Sequence, residues 1–133
     1  MAKKYAFLSL LMWIGIIFYV VWFVIFSLAP QSFLLKLSMM ETQGFFLRLY
    51  GIFPLGWAVL FLFALKDVEK NVAIINAAII TGAFVILSIV VYHFAESTTG
   101  WFHWASAVVL FIYNLLLFVF KPKATAQAAP LPE

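Results

Sequence analysis

Four long apolar runs, separated by short polar intervals, organise the chain: Tyr5–Leu28, Phe45–Leu65, Val72–Phe94 and Trp101–Phe120. Each reaches the roughly 17–25 residues that an α-helix, rising about 1.5 Å per residue, needs to cross ~30 Å of hydrocarbon. The apolar positions run continuously rather than alternating. That pattern predicts helices, which satisfy their backbone hydrogen bonds internally in lipid, and argues against a barrel. The intervals "KDVEKN" (Lys66–Asn71) and "AESTTG" (Ala95–Gly100) are short enough to make antiparallel hairpins of the second and third runs and of the third and fourth. The expected fold is therefore all-α: an integral membrane four-helix up-down bundle forming one domain over residues 1–120. The Ala/Pro-rich tail from Lys121 to Glu133 is too poor in bulky side chains to build a core of its own.

The interval between the first two runs, "APQSFLLKLSMMETQG", is longer and mixes Phe33, Leu34, Leu35, Leu37, Met39 and Met40 with Ser32, Lys36, Ser38 and Glu41. Pro30 stands where it would start a helix. A short helix lying at the membrane interface, between the first and second spans, is the expectation.

Composition agrees with the pattern: 67% of residues are apolar and 10% charged, against about 45–50% and about 25% in soluble domains. The positive balance does not point to nucleic acid, because the eight basic residues sit at helix ends with no basic stripe. They act as topology signals instead. Lys3, Lys4, Lys66, Lys70, Lys121 and Lys123 fall on one side of a four-span layout, and Lys36 and Arg48 on the other. Both termini are thus expected in the cytoplasm. The first run is longer than a signal-peptide core and carries Trp13 and Trp22, so it is expected to stay as a span. With no cysteine, disulfides, thiolate metal sites and cysteine catalysis are excluded.

Small residues recur four apart in the third run, Ala73 with Ala77 and Ala78 with Gly82, and Gly51 and Gly56 flank Pro54 in the second. Such spacing lets helix backbones approach closely in lipid, and Pro54 is expected to kink its helix. Asn76 and Asn114 sit at matching depth in adjacent runs, where an amide–amide hydrogen bond can join them.

The other polar positions gather at the non-cytoplasmic ends: Glu41 and Arg48 around the start of the second run, His93 and Glu96 at the end of the third, and His103 between Trp101 and Trp104. Pairing with Glu41 or Glu96 would neutralise Arg48, and the histidines are candidate proton carriers or ligands. Trp101 and Trp104 also fit an aromatic belt at the membrane boundary. No metal-ligand spacing is present, and no cofactor is expected, haem, chlorophyll or quinone near His93 or His103 being the alternative. Hydrolase, phosphate-loop and zinc-protease motifs are absent from the sequence, so the reading leans away from an enzyme.

The run "FFLRLYGIFPLGWAVLFLFALKDVEKN" resembles the second helix and following loop of small four-helix bacterial membrane proteins of the DoxX-like and BphX-like kind. The shared features are an aromatic-Leu-Arg-Leu-x-Gly opening, a Gly-containing apolar span, and an acidic-basic turn; the likeness covers about a third of the chain. It implies a membrane subunit, in some members linked to quinone-dependent oxidation, with Arg48 and Gly51 as the positions onto which the family pattern carries. The functional expectation is a non-catalytic accessory or structural subunit of a larger membrane complex, in contact with lipid and with other subunits or copies of itself. Alternatives are a binder of a hydrophobic small molecule (quinone, lipid or pigment) among the non-cytoplasmic ends of the helices, and a small transporter or channel.

Overall fold

The computed structural model describes residues 5–37, 48–96 and 100–122, and the side chain of Glu96 is not among them. Over these residues the chain is helical, without strands. α1 (Ala6–Phe23) continues into a π-helical turn (Val24–Leu28), followed by α2 (Gln31–Lys36), α3 (Ile52–Ala64), α4 (Val72–Glu96) and α5 (Trp101–Phe120). Three segments are long and apolar enough to cross a membrane: Ala6–Leu28, Val72–Ala95 and Trp101–Phe120. The apolar segment Arg48–Ala64 is shorter. It corresponds to the second expected span, whose first positions, Phe45 to Leu47, lie outside the described residues.

α1 packs along α3 and α4 along α5, and the two pairs meet through thinner α1–α5 and α3–α4 contacts. The shared core is built from Leu8, Leu11, Met12, Ile16 and Tyr19 of α1, Ala58 and Phe61 of α3, Ile75 and Ala78 of α4, and Leu110, Tyr113 and Leu117 of α5. Phe61 is wholly buried and meets the Tyr19 ring edge-on at 5.7 Å between centroids. Gly15 is what lets α1, α3 and α5 close at this level. A Cβ there would run into the Tyr113 hydroxyl and lie 2.9 Å from the Phe61 ring, closer than packed carbon atoms approach.

Between the first two apolar runs, α2 begins directly after Pro30, whose carbonyl accepts from the Phe33 and Leu34 amides at 2.9 and 3.2 Å. Leu34 is buried, and Lys36 in the last turn meets the negative end of the helix dipole. The expected short helix is thus present over Gln31–Lys36, and Ser38, Met39, Met40 and Glu41 lie outside the described residues.

Pro54 does not interrupt its helix where it stands. Helical hydrogen bonding lapses at Gly51, between the turn Arg48–Tyr50 and the start of α3 at Ile52. The cause is that Pro54 has no N–H to give the Tyr50 carbonyl and its ring crowds that same carbonyl, so the disturbance appears about one turn upstream.

Candidate functional site

Arg48 is the one charged residue inside the four apolar runs, and the structure gives its guanidinium a backbone role. Nη1 donates to the Ser27 carbonyl at 2.7 Å and Nη2 to the Ala29 carbonyl at 3.3 Å, while the Ser27 hydroxyl donates back to the Arg48 carbonyl at 3.0 Å. The sequence explains why those carbonyls need a donor. The first span ends in a π-turn, closed by the Ala29 amide on the Val24 carbonyl at 3.0 Å, and Pro30 then stops the helix. Carbonyls at a helix C-terminus lack intrahelical partners, and a cation there also meets the negative end of the dipole. Gly51 completes the joint. A Cβ on it would collide with the Ser27 hydroxyl and come within 3.0 Å of the Phe26 Cβ. The "RLYG" motif therefore works as a clamp between the end of the first span and the start of the second segment.

Arg48 forms no ion pair among the described residues, where the one salt bridge joins Lys70 to Asp67. Pairing with Glu41 or with the Glu96 carboxylate concerns groups outside those described. Of the expected cluster of Glu41, Arg48, His93, Glu96 and His103, the two histidines are described with aromatic and helix-capping contacts. The His93 ring stands edge-on to Trp104 at 5.0 Å and to Phe94 at 5.4 Å. His103 Nδ1 accepts from the Gly100 amide at 3.3 Å, the arm of a capping box that reaches back from the third residue of α5 to the N-cap N–H. An accepting Nδ1 places the ring proton of the neutral imidazole on Nε2. Trp101 is exposed at the start of α5 and packs edge-on to Phe102, and Trp104 is more covered than Trp101.

The two asparagines do not bond to each other. Asn114 is buried and its Nδ2 donates to the Ile79 carbonyl at 3.3 Å, whereas Asn76 Oδ1 accepts from Lys121 Nζ at 2.8 Å. Lys121 is further held over the Phe118 ring at 4.6 Å. Asn114 can lie against α4 only because position 82 is glycine, since a Cβ there would strike both of its terminal atoms. Ala78 shares this buried face, but Ala73 and Ala77 lie on the exposed side of α4, and Gly56 faces open space. Of the small residues expected to mediate packing, Gly51, Ala78 and Gly82 do so within this chain. Sequence reasoning missed Tyr113, whose hydroxyl donates to the Leu11 carbonyl at 3.2 Å, and Gly15 beneath it. A mid-span glycine facing a tyrosine one helix away was the available signal.

Two concavities lie at opposite ends of the molecule. The smaller, of about 200 Å³, is formed by Tyr5, Ser9 and the turn from Leu65 to Glu69. The larger, an open groove of about 520 Å³, runs along α4 beside Tyr50 and the start of α5; Phe84, Val85 and Ile89 form its apolar wall. Among the described residues no group of three His, Cys, Asp or Glu side chains is placed to hold a metal ion. Comparison with protein families, curated proteins and solved structures finds no match to this chain.

Proposed function

We propose that this chain is a non-catalytic integral membrane protein of the bacterial inner membrane, a four-span bundle with cytoplasmic termini that serves as an accessory subunit of a larger membrane complex. The observation that supports it is the unequal cover of the three long helices. Only 17% of the most apolar stretch of α4 is buried, against 39% for the first span and 33% for α5. The open side of α4 carries Ala73 and Ala77 four residues apart, continued by Ile80, Phe84, Leu87 and Val91. Small residues let a neighbouring helix come close, which is the main source of helix association in lipid.

A structural role also agrees with how the polar groups inside the bundle are used. Arg48, Asn114 and Tyr113 each hydrogen-bond a backbone carbonyl of a neighbouring segment. They fasten helices together.

Purification of the tagged chain from native membranes in mild detergent tests the reading. A stoichiometric membrane partner is expected, and its recovery should fall several-fold for Ala73→Leu with Ala77→Leu, both on the exposed side of α4. A clean monomer from native membranes, or partner recovery indifferent to both substitutions, contradicts it.

A further inference from the structure

We propose that the groove along α4 binds an uncharged amphiphile whose head carries carbonyl or ester oxygens. The polar members of its lining are Tyr50, Thr81, Ser88, Tyr92 and His103, and no charged side chain is among them. Ser88 already donates to the Phe84 carbonyl at 2.8 Å. The hydroxyls of Tyr50, Thr81 and Tyr92 make no hydrogen bond among the described residues, and His103 has Nε2–H left after its cap to Gly100. Each of these is a neutral donor. A ligand rich in acceptors satisfies them.

A charged head fits the lining poorly. Moving an ionised group from water to an apolar site without a counter-charge is heavily disfavoured, and the closest cation in sequence to the groove wall, Arg48, is held by the Ser27 and Ala29 carbonyls. The groove also has the length for a chain. Its lining positions from Thr81 to Tyr92 span roughly 16 Å of helix at about 1.5 Å per residue. Tyr50, Tyr92 and His103 stand towards the end where α4 finishes and α5 begins, and Thr81 lies deepest. The head is therefore placed among the two tyrosines and the histidine, with its hydrocarbon along Phe84, Val85 and Ile89.

The proposal does not depend on a partner at Ala73 and Ala77. The full chain in nanodiscs is irradiated with a monoacylglycerol carrying a diazirine near its head, and the labelled residues are mapped by mass spectrometry. Labelling is expected to concentrate around Tyr50, Tyr92 and His103. Monoolein should compete it away, and oleate or phosphatidylglycerol at equal concentration should not. Tyr50→Phe and Tyr92→Phe, both on exposed rings, should each weaken monoolein competition about three- to tenfold, the loss expected for one hydrogen bond. Thr81→Leu, which fills the deep end, should abolish focused labelling while leaving the melting temperature unchanged. Labelling spread evenly over exposed positions of α5 such as Val108 and Ile112, or competition by phosphatidylglycerol equal to that by monoolein, overturns the proposal.

Discussion

A guanidinium beside hydrocarbon would ordinarily seek a carboxylate, but Arg48 instead holds two carbonyls at the C-terminal end of the first span. Hydrogen bonds to charged groups contribute about 1.5–3 kcal/mol each. Arg48→Leu should accordingly lower stability by roughly 3–6 kcal/mol, read as a fall in melting temperature in detergent, and Arg48→Lys should recover less than half because one ammonium cannot span both acceptors with a fork. A second pair of substitutions separates glycines that the sequence presents as equivalent. Gly82→Ala should destabilise by about 1–3 kcal/mol through its clash with Asn114, while Gly56→Ala, facing open space, should be neutral or stabilise by up to about 1 kcal/mol. Equal effects in a thermal assay would refute the packing described. The unusual residues were legible in the sequence at this scale, Arg48, Gly51, Gly82 and Asn114 among them. Their partners were not, because Arg48 and Asn114 bond main-chain carbonyls, which every residue possesses and no sequence pattern marks.

The α3–α4 connection shows an element whose boundaries the sequence does mark. Asp67 Oδ1 accepts from the Lys70 amide at 3.2 Å, its Oδ2 pairs with Lys70 Nζ at 3.0 Å, and the Asn71 side chain donates to the Asp67 carbonyl at 2.8 Å just before α4. The hydrogen bond from Lys70 holds the Asp67 carboxyl below its ordinary range. A carboxylate with a lowered folded-state pKa adds stability that is present above its unfolded pKa and is lost as pH falls through the folded value. Amide exchange over residues 67–72 should therefore quicken as pH drops through the acidic range, beyond the intrinsic pH dependence of exchange. Asp67→Asn should remove that extra dependence. The short interval from Lys66 to Asn71 was visible as a hairpin connection, and Pro30 as the start of α2. The π-turn at Val24–Leu28 was not, since nothing in an unbroken apolar run distinguishes a helix bonded to the fifth residue back from one bonded to the fourth. Nor was the lapse at Gly51 legible, because a proline disturbs the turn before it rather than its own position.

For the whole molecule, hydropathy foretold an all-helical chain in contact with lipid, and the structure has three helices long enough to span. Pairing order was only partly readable. The short connections foretold that α4 lies against α5, whereas the closer meeting of α1 with α3 than of α3 with α4 depends on Gly15, Phe61 and the Arg48 clamp, whose complementarity emerges in three dimensions. The account as a whole requires that the segment from Arg48 to Ala64, shorter than the others, still crosses, so that both termini share one face. The chain contains no cysteine, so single cysteines report cleanly on sidedness. Labelling with a membrane-impermeant maleimide in intact cells and in inverted vesicles, at Ala2, Gln31, Glu69, Ser97 and Ala129 in turn, tests this most directly. Cysteines at 2, 69 and 129 should react only in inverted vesicles and those at 31 and 97 only in intact cells. Positions 31 and 69 reacting from the same side, or 2 and 129 from opposite sides, would contradict the four-span bundle.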